Sequence, residues 1–309
     1  MSSLPSPVTN DWATKHVGGS SNDPTILHVV EENLMVNGDF EDALSGWSNE
    51  SGTAPARVDA GNAAARGNYV MNLKASSITH RAIAFTGTKI LLTGFVKFIA
   101  TSARKSFNTT LYITGSDAYV ATPASKFVKV NIESVDAHTD ATEYYMPFYL
   151  MLDAAAGTYA HINFECEAGV EVYIDDLRLY EVSKVVELYE PNDMFVKYQY
   201  YKDAEYEMLD GSSKLYAKGW RPIYSIRYDY MTAAGLVKNI GLSESMFNFF
   251  IPHSNNLGGS YVRFDADFEA SPFAGKYLGH EQSLELKGIF LIKNKMREYG
   301  ETYFSVTSG

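Results

Sequence analysis

The sequence predicts a mainly β protein: a jelly-roll β-sandwich followed by a smaller β-barrel or sheet domain with one α-helix. Three observations predict it. Aromatic residues make up 14% of the chain, with 22 Tyr and 17 Phe, and flat, half-buried rings favour a pleated surface. Short apolar runs alternate with turn residues along most of the chain. One segment, 231–242, spaces its apolar residues at a helical period through Ala234, Val237 and either Ile240 or Gly241. A chain of 309 residues also suits two domains better than one core.

Taken in order, residues 1–30 are rich in Ser, Pro, Asn, Asp and Gly and read as an extended arm. From 31 to 182, strands are expected at 69–73, 83–85, 90–99, 109–114, 127–132, 144–152, 160–165 and 170–180. Turn pairs such as Gly67-Asn68, Thr86-Gly87, Gly115-Ser116 and Ala168-Gly169 separate them. This spacing of short strands is that of a β-sandwich. Residues 183–192, ending in Glu190-Pro191-Asn192, read as a linker. From 193 to 309 a Tyr-rich strand at 194–208 meets the hairpin signal Asp210-Gly211. Strands at 214–217, 222–230, 245–252, 260–269 and 282–291 surround the helix at 231–242.

Charge and composition exclude several functions. The net charge is −11 and the pI about 5.1, with no Lys/Arg cluster. A nucleic-acid partner is therefore not expected, because it needs a basic face to displace counterions. No run reaches the roughly 18 apolar residues of a membrane span, so no membrane insertion is expected. The first 24 residues lack the apolar core of a signal peptide, which predicts folding in a cytoplasm. The single Cys166 allows no internal disulfide and reads as a buried thiol. Gly-x-Ser-x-Gly, His-Glu-x-x-His and phosphate-loop motifs are absent, and Gly279-His280-Glu281 reads as a strand start. The chain is expected not to be an enzyme.

Two segments carry a resemblance. The first is Asn33-Leu34-Met35-Val36-Asn37-Gly38-Asp39-Phe40-Glu41 with Leu44-Ser45-Gly46-Trp47. The second is Val172-Tyr173-Ile174-Asp175-Asp176-Leu177-Arg178-Leu179-Tyr180, about 140 residues later. Together they resemble the first and last strands of galactose-binding-like jelly-rolls, including carbohydrate-binding modules of the family 4/9/22 type. The resemblance covers about 31–182. It implies a structural calcium ion where those strands meet, with Asp39, Glu41 and Asp176 as side-chain ligands, in keeping with the oxygen-rich set a hard cation takes; the alternative is that Asp175-Asp176 and Glu41 cap strands and meet turn amides. It places Trp47 in the core. It implies sugar binding through exposed aromatic faces and polar partners, for which Tyr112, Tyr119, Tyr144, Tyr145 and Tyr149, with Asn108, Asp117 and Arg104, are the candidates.

The C-terminal half resembles small tail-tube-like β-barrel domains of tailed-phage structural proteins in style, through 220–230, 249–253, 261–268 and 277–288. This implies a virion protein, tail-associated or head-decorating, assembled in the host cytoplasm. Its expected partners are other virion proteins, further copies of itself in a homo-oligomer, and a host cell-surface polysaccharide. A purely architectural virion protein and a bacterial polysaccharide-binding protein are the alternatives, since jelly-rolls serve many functions.

Overall fold

A computed structural model describes residues 26–308 except 62–63, 75, 101–104, 122–126, 135–144, 154–157, 189–190, 192, 208–212, 245–246, 253–258, 265–268, 273–278 and 289–301. The strands are β1 (Ile26–Asn33), β2 (Ser48–Ser51), β3 (Ala56–Asp59), β4 (Tyr69–Lys74), β5 (Ile78–Phe85), β6 (Lys89–Ala100), β7 (Ser106–Thr114), β8 (Phe127–Ser134), β9 (Met146–Asp153), β10 (Thr158–Cys166) and β11 (Val170–Glu187). They continue with β12 (Asp193–Glu207), β13 (Ser213–Thr232), β14 (Asn248–Pro252), β15 (Gly259–Phe264), β16 (Glu269–Pro272), β17 (Gly279–Gly288) and β18 (Thr302–Ser308). Helix α1 (Ala233–Ser243) lies between β13 and β14. Among the described residues the protein is mainly β with one helix, as its aromatic content and apolar spacing predict.

Two antiparallel sheets build the molecule. The larger runs β12-β13-β17-β15-β14-β1-β11-β4-β3, with β16 on β17 and the pair β6-β9 joined through β11. The smaller runs β18-β8-β7-β10-β5-β2. Their facing surfaces make the sandwich core. In β10 the alternation sends Ala160, Ile162, Phe164 and Cys166 inward, against Leu111 and Val130 of the same sheet and Leu92, Leu150 and Val172 of the other. Trp47 is half-buried on this core and stacks on Phe164 with ring centroids 5.3 Å apart.

Strand β11 changes phase within its length. Val172 and Ile174 point into the core, and so do Leu177 and Leu179. The parity change is a β-bulge: Asp175 pairs with Phe95 and Arg178 with Thr93, so two residues of β11, Asp176 and Leu177, stand against Gly94 of β6, one extra residue. Asp176 takes a left-handed φ of 47° there.

The boundaries differ from those the sequence suggests. Residues 26–30 are not arm: they begin β1, with Leu27 and Val29 buried. Residues 183–187 are not linker: they continue β11, paired with β1 from Lys184↔Val29 to Glu187↔Ile26. β1 also pairs with β14, His28↔Phe250 through Val30↔Asn248. The C-terminal β18 pairs with β8 of the small sheet. Leu27, Val29 and Val186 join Tyr224, Phe249 and Leu286 in a second core. The cause is a broken alternation. Val182 and Val186 are buried while Ser183, Lys184 and Val185 between them are exposed, and the pairing with β1 shifts register between Val182 and Lys184, so a continuous strand reads as a polar stretch.

Candidate functional site

The outward face of the small sheet gathers the most varied chemistry among the described residues. Alternation leaves Tyr159, His161, Asn163 and Glu165 of β10 pointing away from the core. Strand register then lines up rows across the face. One row is Ile78–Glu165–Asn108–Asn131, the next His80–Asn163–Thr110–Lys129, and the third Ala82–His161–Tyr112–Phe127.

At one end these groups are linked. Asn108 Nδ2 donates to Glu165 Oε2 at 3.3 Å, and Lys129 Nζ lies 3.6 Å from the same carboxylate. Beside them two amide oxygens, Asn163 Oδ1 and Asn131 Oδ1, are buried with no hydrogen-bond partner among the described residues. Asn163 is only 8% exposed. Leaving such an acceptor unmet costs about 1–3 kcal/mol.

At the other end the segment after β7 folds back over the face. His161 Nε2 is 2.8 Å from the Ser116 carbonyl oxygen and 2.7 Å from Thr114 Oγ1. Tyr112 Oη accepts the Val120 N–H at 3.2 Å. Tyr119 lies over His80, ring centroids 5.2 Å apart, and Tyr112 stacks on His161 at 4.6 Å. His80 Nε2 and His161 Nδ1 are 2.8 Å apart. Since a carbonyl only accepts, His161 Nε2 carries a proton, His161 Nδ1 is bare, and His80 Nε2–H donates to it. Burial, reinforced by the neighbouring His161, brings the His80 imidazole down to about 4, against the pull of Glu50. Burial also lowers His161, while Ser116 and Asp117 oppose it. Both rings are neutral at pH 7.

The expected sugar-contact residues divide between opposite faces. Asn108, Asp117 and the half-buried Tyr119 lie on or beside this face, with Asp117 exposed. Tyr112 belongs to it but is fully buried, covered by the 115–120 segment, so it offers no open ring. Tyr145 and Tyr149 lie on the other side of the sandwich and are buried. Tyr145 packs with Ala64 and Val70, and Tyr149 packs with Phe250 at the junction with the C-terminal half. They are no stacking platforms, because neighbouring elements close over them. Tyr144 and Arg104 lie outside the described residues. His80, Lys129, Asn131, Tyr159, His161, Asn163 and Glu165 were not among the expected residues. The alternation within β10 was the available signal for four of them.

The expected calcium ligands are not gathered. Asp176 Oδ1 accepts from Arg66 Nη1 at 3.1 Å and Arg178 Nε at 3.0 Å, and its Oδ2 accepts from Arg178 Nη2 at 2.8 Å. Glu41 Oε1 accepts the backbone N–H groups of Asn68 at 2.7 Å and Tyr69 at 2.9 Å. Asp39 is half-exposed in the turn before Phe40. Among the described residues no three His, Cys, Asp or Glu side chains converge as a metal would need. The donor set does not fit calcium, because guanidinium and amide groups already hold its oxygens. The adjacent Asp175 is fully buried. Burial pushes its carboxyl up to about 8, against the amides of Arg66, Asp176 and Ala65.

Nucleophiles are quiet. Cys166 is buried, and burial together with Glu171 and Glu167 raises its thiol to about 12. No helix among the described residues is long and apolar enough to cross a membrane.

No family model matches the chain, and no curated protein matches it. Several solved structures are similar over about half of it. A family 61 carbohydrate-binding module in complex with β-1,4-galactotriose is 17% identical, covering 49% of this chain and 99% of its own, with a TM-score of 0.36. A family 22 xylan-binding domain from Paenibacillus barcinonensis is 14% identical, covering 50% and 96%, also at 0.36. The enzymatically active domain of a bacteriophage CBA120 tailspike protein is 12% identical, covering 48% of this chain and 21% of that one, at 0.34. With TM-scores below 0.5, these likenesses add nothing to the strand pairings above.

Proposed function

We propose that the sandwich is a non-catalytic glycan-binding module and that the outward face of its small sheet takes the sugar. One observation carries the reading. Glu165, Lys129 and Asn108 form a linked, part-exposed polar cluster on this face. A ligand rich in hydroxyls can donate to the Glu165 carboxylate and accept from the Lys129 ammonium and the Asn108 amide. Tyr119 at the edge adds a ring for C–H contact. The inert thiol and the absence of familiar catalytic motifs support a binding role.

The test is a glycan array with the full-length protein, followed by calorimetry on the best ligand. Lys129→Ala and Glu165→Gln should each weaken binding about tenfold, equivalent to about 1.4 kcal/mol. Tyr145→Phe, on the opposite side, should change nothing. Equal loss in all three, or no binding to any glycan by a multimerised sample, sinks the proposal.

We further propose that the module is carried on a phage virion, in several copies, with the C-terminal half toward the particle. The sequence style of that half supports this. Repetition would convert weak single-site affinity into avidity. Mass spectrometry of purified particles decides it. Detection of the chain in the particle without glycan binding would favour an architectural role.

A further inference from the structure

We infer that the Arg57 guanidinium is the resident cation of the corner where the turn after β1 meets β3 and β4, so that this corner needs no divalent ion. Nε–H of Arg57 donates to the Phe40 carbonyl at 2.7 Å, and its Nη2 donates to the Glu41 carbonyl. The guanidinium carbon lies 3.3 Å from the centroid of the Tyr69 ring. Tyr69 closes the loop from the other side, since its N–H donates to the Glu41 carboxylate.

The turn is shaped to present those carbonyls. Asn37 and Phe40 hold left-handed φ values of 55° and 56°, and Ala43 one of 91°. Asn37 pins the turn by accepting the Asp42 N–H at 3.0 Å and donating to the Ala43 carbonyl at 2.8 Å. Non-glycine residues pay for left-handed backbone, so the turn must be held by its surroundings. A planar fork that binds two adjacent carbonyls and stacks on a ring does this.

A calcium ion would need six to eight oxygens. Here both turn carbonyls face Arg57, the Glu41 carboxylate accepts two amides, and Asp176 is held by Arg66 and Arg178. The same logic governs both ends of the corner: an internal guanidinium stands against each oxygen cluster. This inference is independent of the glycan proposal, and either can fail alone.

The experiment is thermal unfolding of the full-length protein with millimolar calcium, with chelator, and with neither, beside the variant Arg57→Gln. Wild type should melt at one temperature in all three. Arg57→Gln should melt about 2–4 °C lower, also unaffected by calcium. A wild-type melting temperature that falls in chelator and returns with calcium overturns the inference. So does an unchanged melting temperature in Arg57→Gln. If the variant does not fold, the wild-type comparison decides by itself.

Discussion

The buried imidazole pair shows how much one proton matters on the candidate face. His80 Nδ1 is the ring nitrogen left bare, and it faces Ser48 Oγ at 3.5 Å and the Glu50 carboxylate at 3.8 Å. A first proton therefore adds at His80 without breaking the bond to His161. A second, on His161 Nδ1, sets two N–H groups against each other and costs that bond. In an unfolded chain both rings titrate near 6.5. In the folded protein His80 titrates near 4. The unfolded state therefore binds more protons across that window. Stability from the pair is fully present above about pH 6.5 and is lost as pH falls toward 4. Urea unfolding at pH 7 and pH 4.5 should show this loss, and His80→Gln should reduce the difference between the two. The same difference in wild type and variant would mean that the pair is not the titrating element.

Among the elements, the bulge in β11 is the one with the sharpest steric consequence. It turns Leu177 into the core directly over Gly94 of β6. A Cβ at residue 94 would lie 2.5 Å from Leu177 Cδ2 and 3.0 Å from Phe148 Cζ. Both neighbours are buried, so neither can swing into solvent. Gly94→Ala should cost about 1–3 kcal/mol by overpacking, read as a lower urea midpoint with an unchanged slope. A neutral result would show that Leu177 has room to move.

The same element marks where the sequence is legible and where it is not. The central strands follow apolar alternation closely: 90–99 expected against Lys89–Ala100 for β6, and 160–165 against Thr158–Cys166 for β10. The helix expected at 231–242 is Ala233–Ser243. Strands β2 and β3 were not readable because nearly all their residues are exposed and no face repeats. Strand β5 was read only at its apolar end, since Thr79, His80 and Arg81 interrupt the run. The candidate face was legible in part. Ring count alone pointed to tyrosines, but exposure depends on what folds over each ring. The 115–120 segment over Tyr112 and Phe250 against Tyr149 are contacts between residues whose meeting only the fold arranges.

At the scale of the whole molecule, the decisive fact is that the two halves share one sheet. β11 leaves the sandwich and runs on to Glu187, and β1 lies between it and β14. Side chains seal the junction. Val30, Leu91, Tyr149, Tyr180, Val182 and Phe250 form one buried cluster, and Thr93 hydrogen-bonds Tyr261 at 2.7 Å. A fragment cut at 31–182 loses the first half of β1, β14, β15 and β18. It exposes Leu91, Tyr149 and Tyr180. Exposing a large apolar side chain costs about 1.5–3 kcal/mol, so three approach the whole stability of an ordinary domain, about 5–15 kcal/mol. The fragment should therefore melt well below the full-length chain, or self-associate through the bared strand edge. Calorimetry with size-exclusion chromatography reads both. A monomeric fragment melting with the full-length protein would show that the sandwich is autonomous. If the fragment fails as expected, the consequence reaches function. A sugar held on the small sheet would be presented by a body without a hinge at 183–187, so binding strength in several copies would depend on how the chains are spaced and not on a flexible tether.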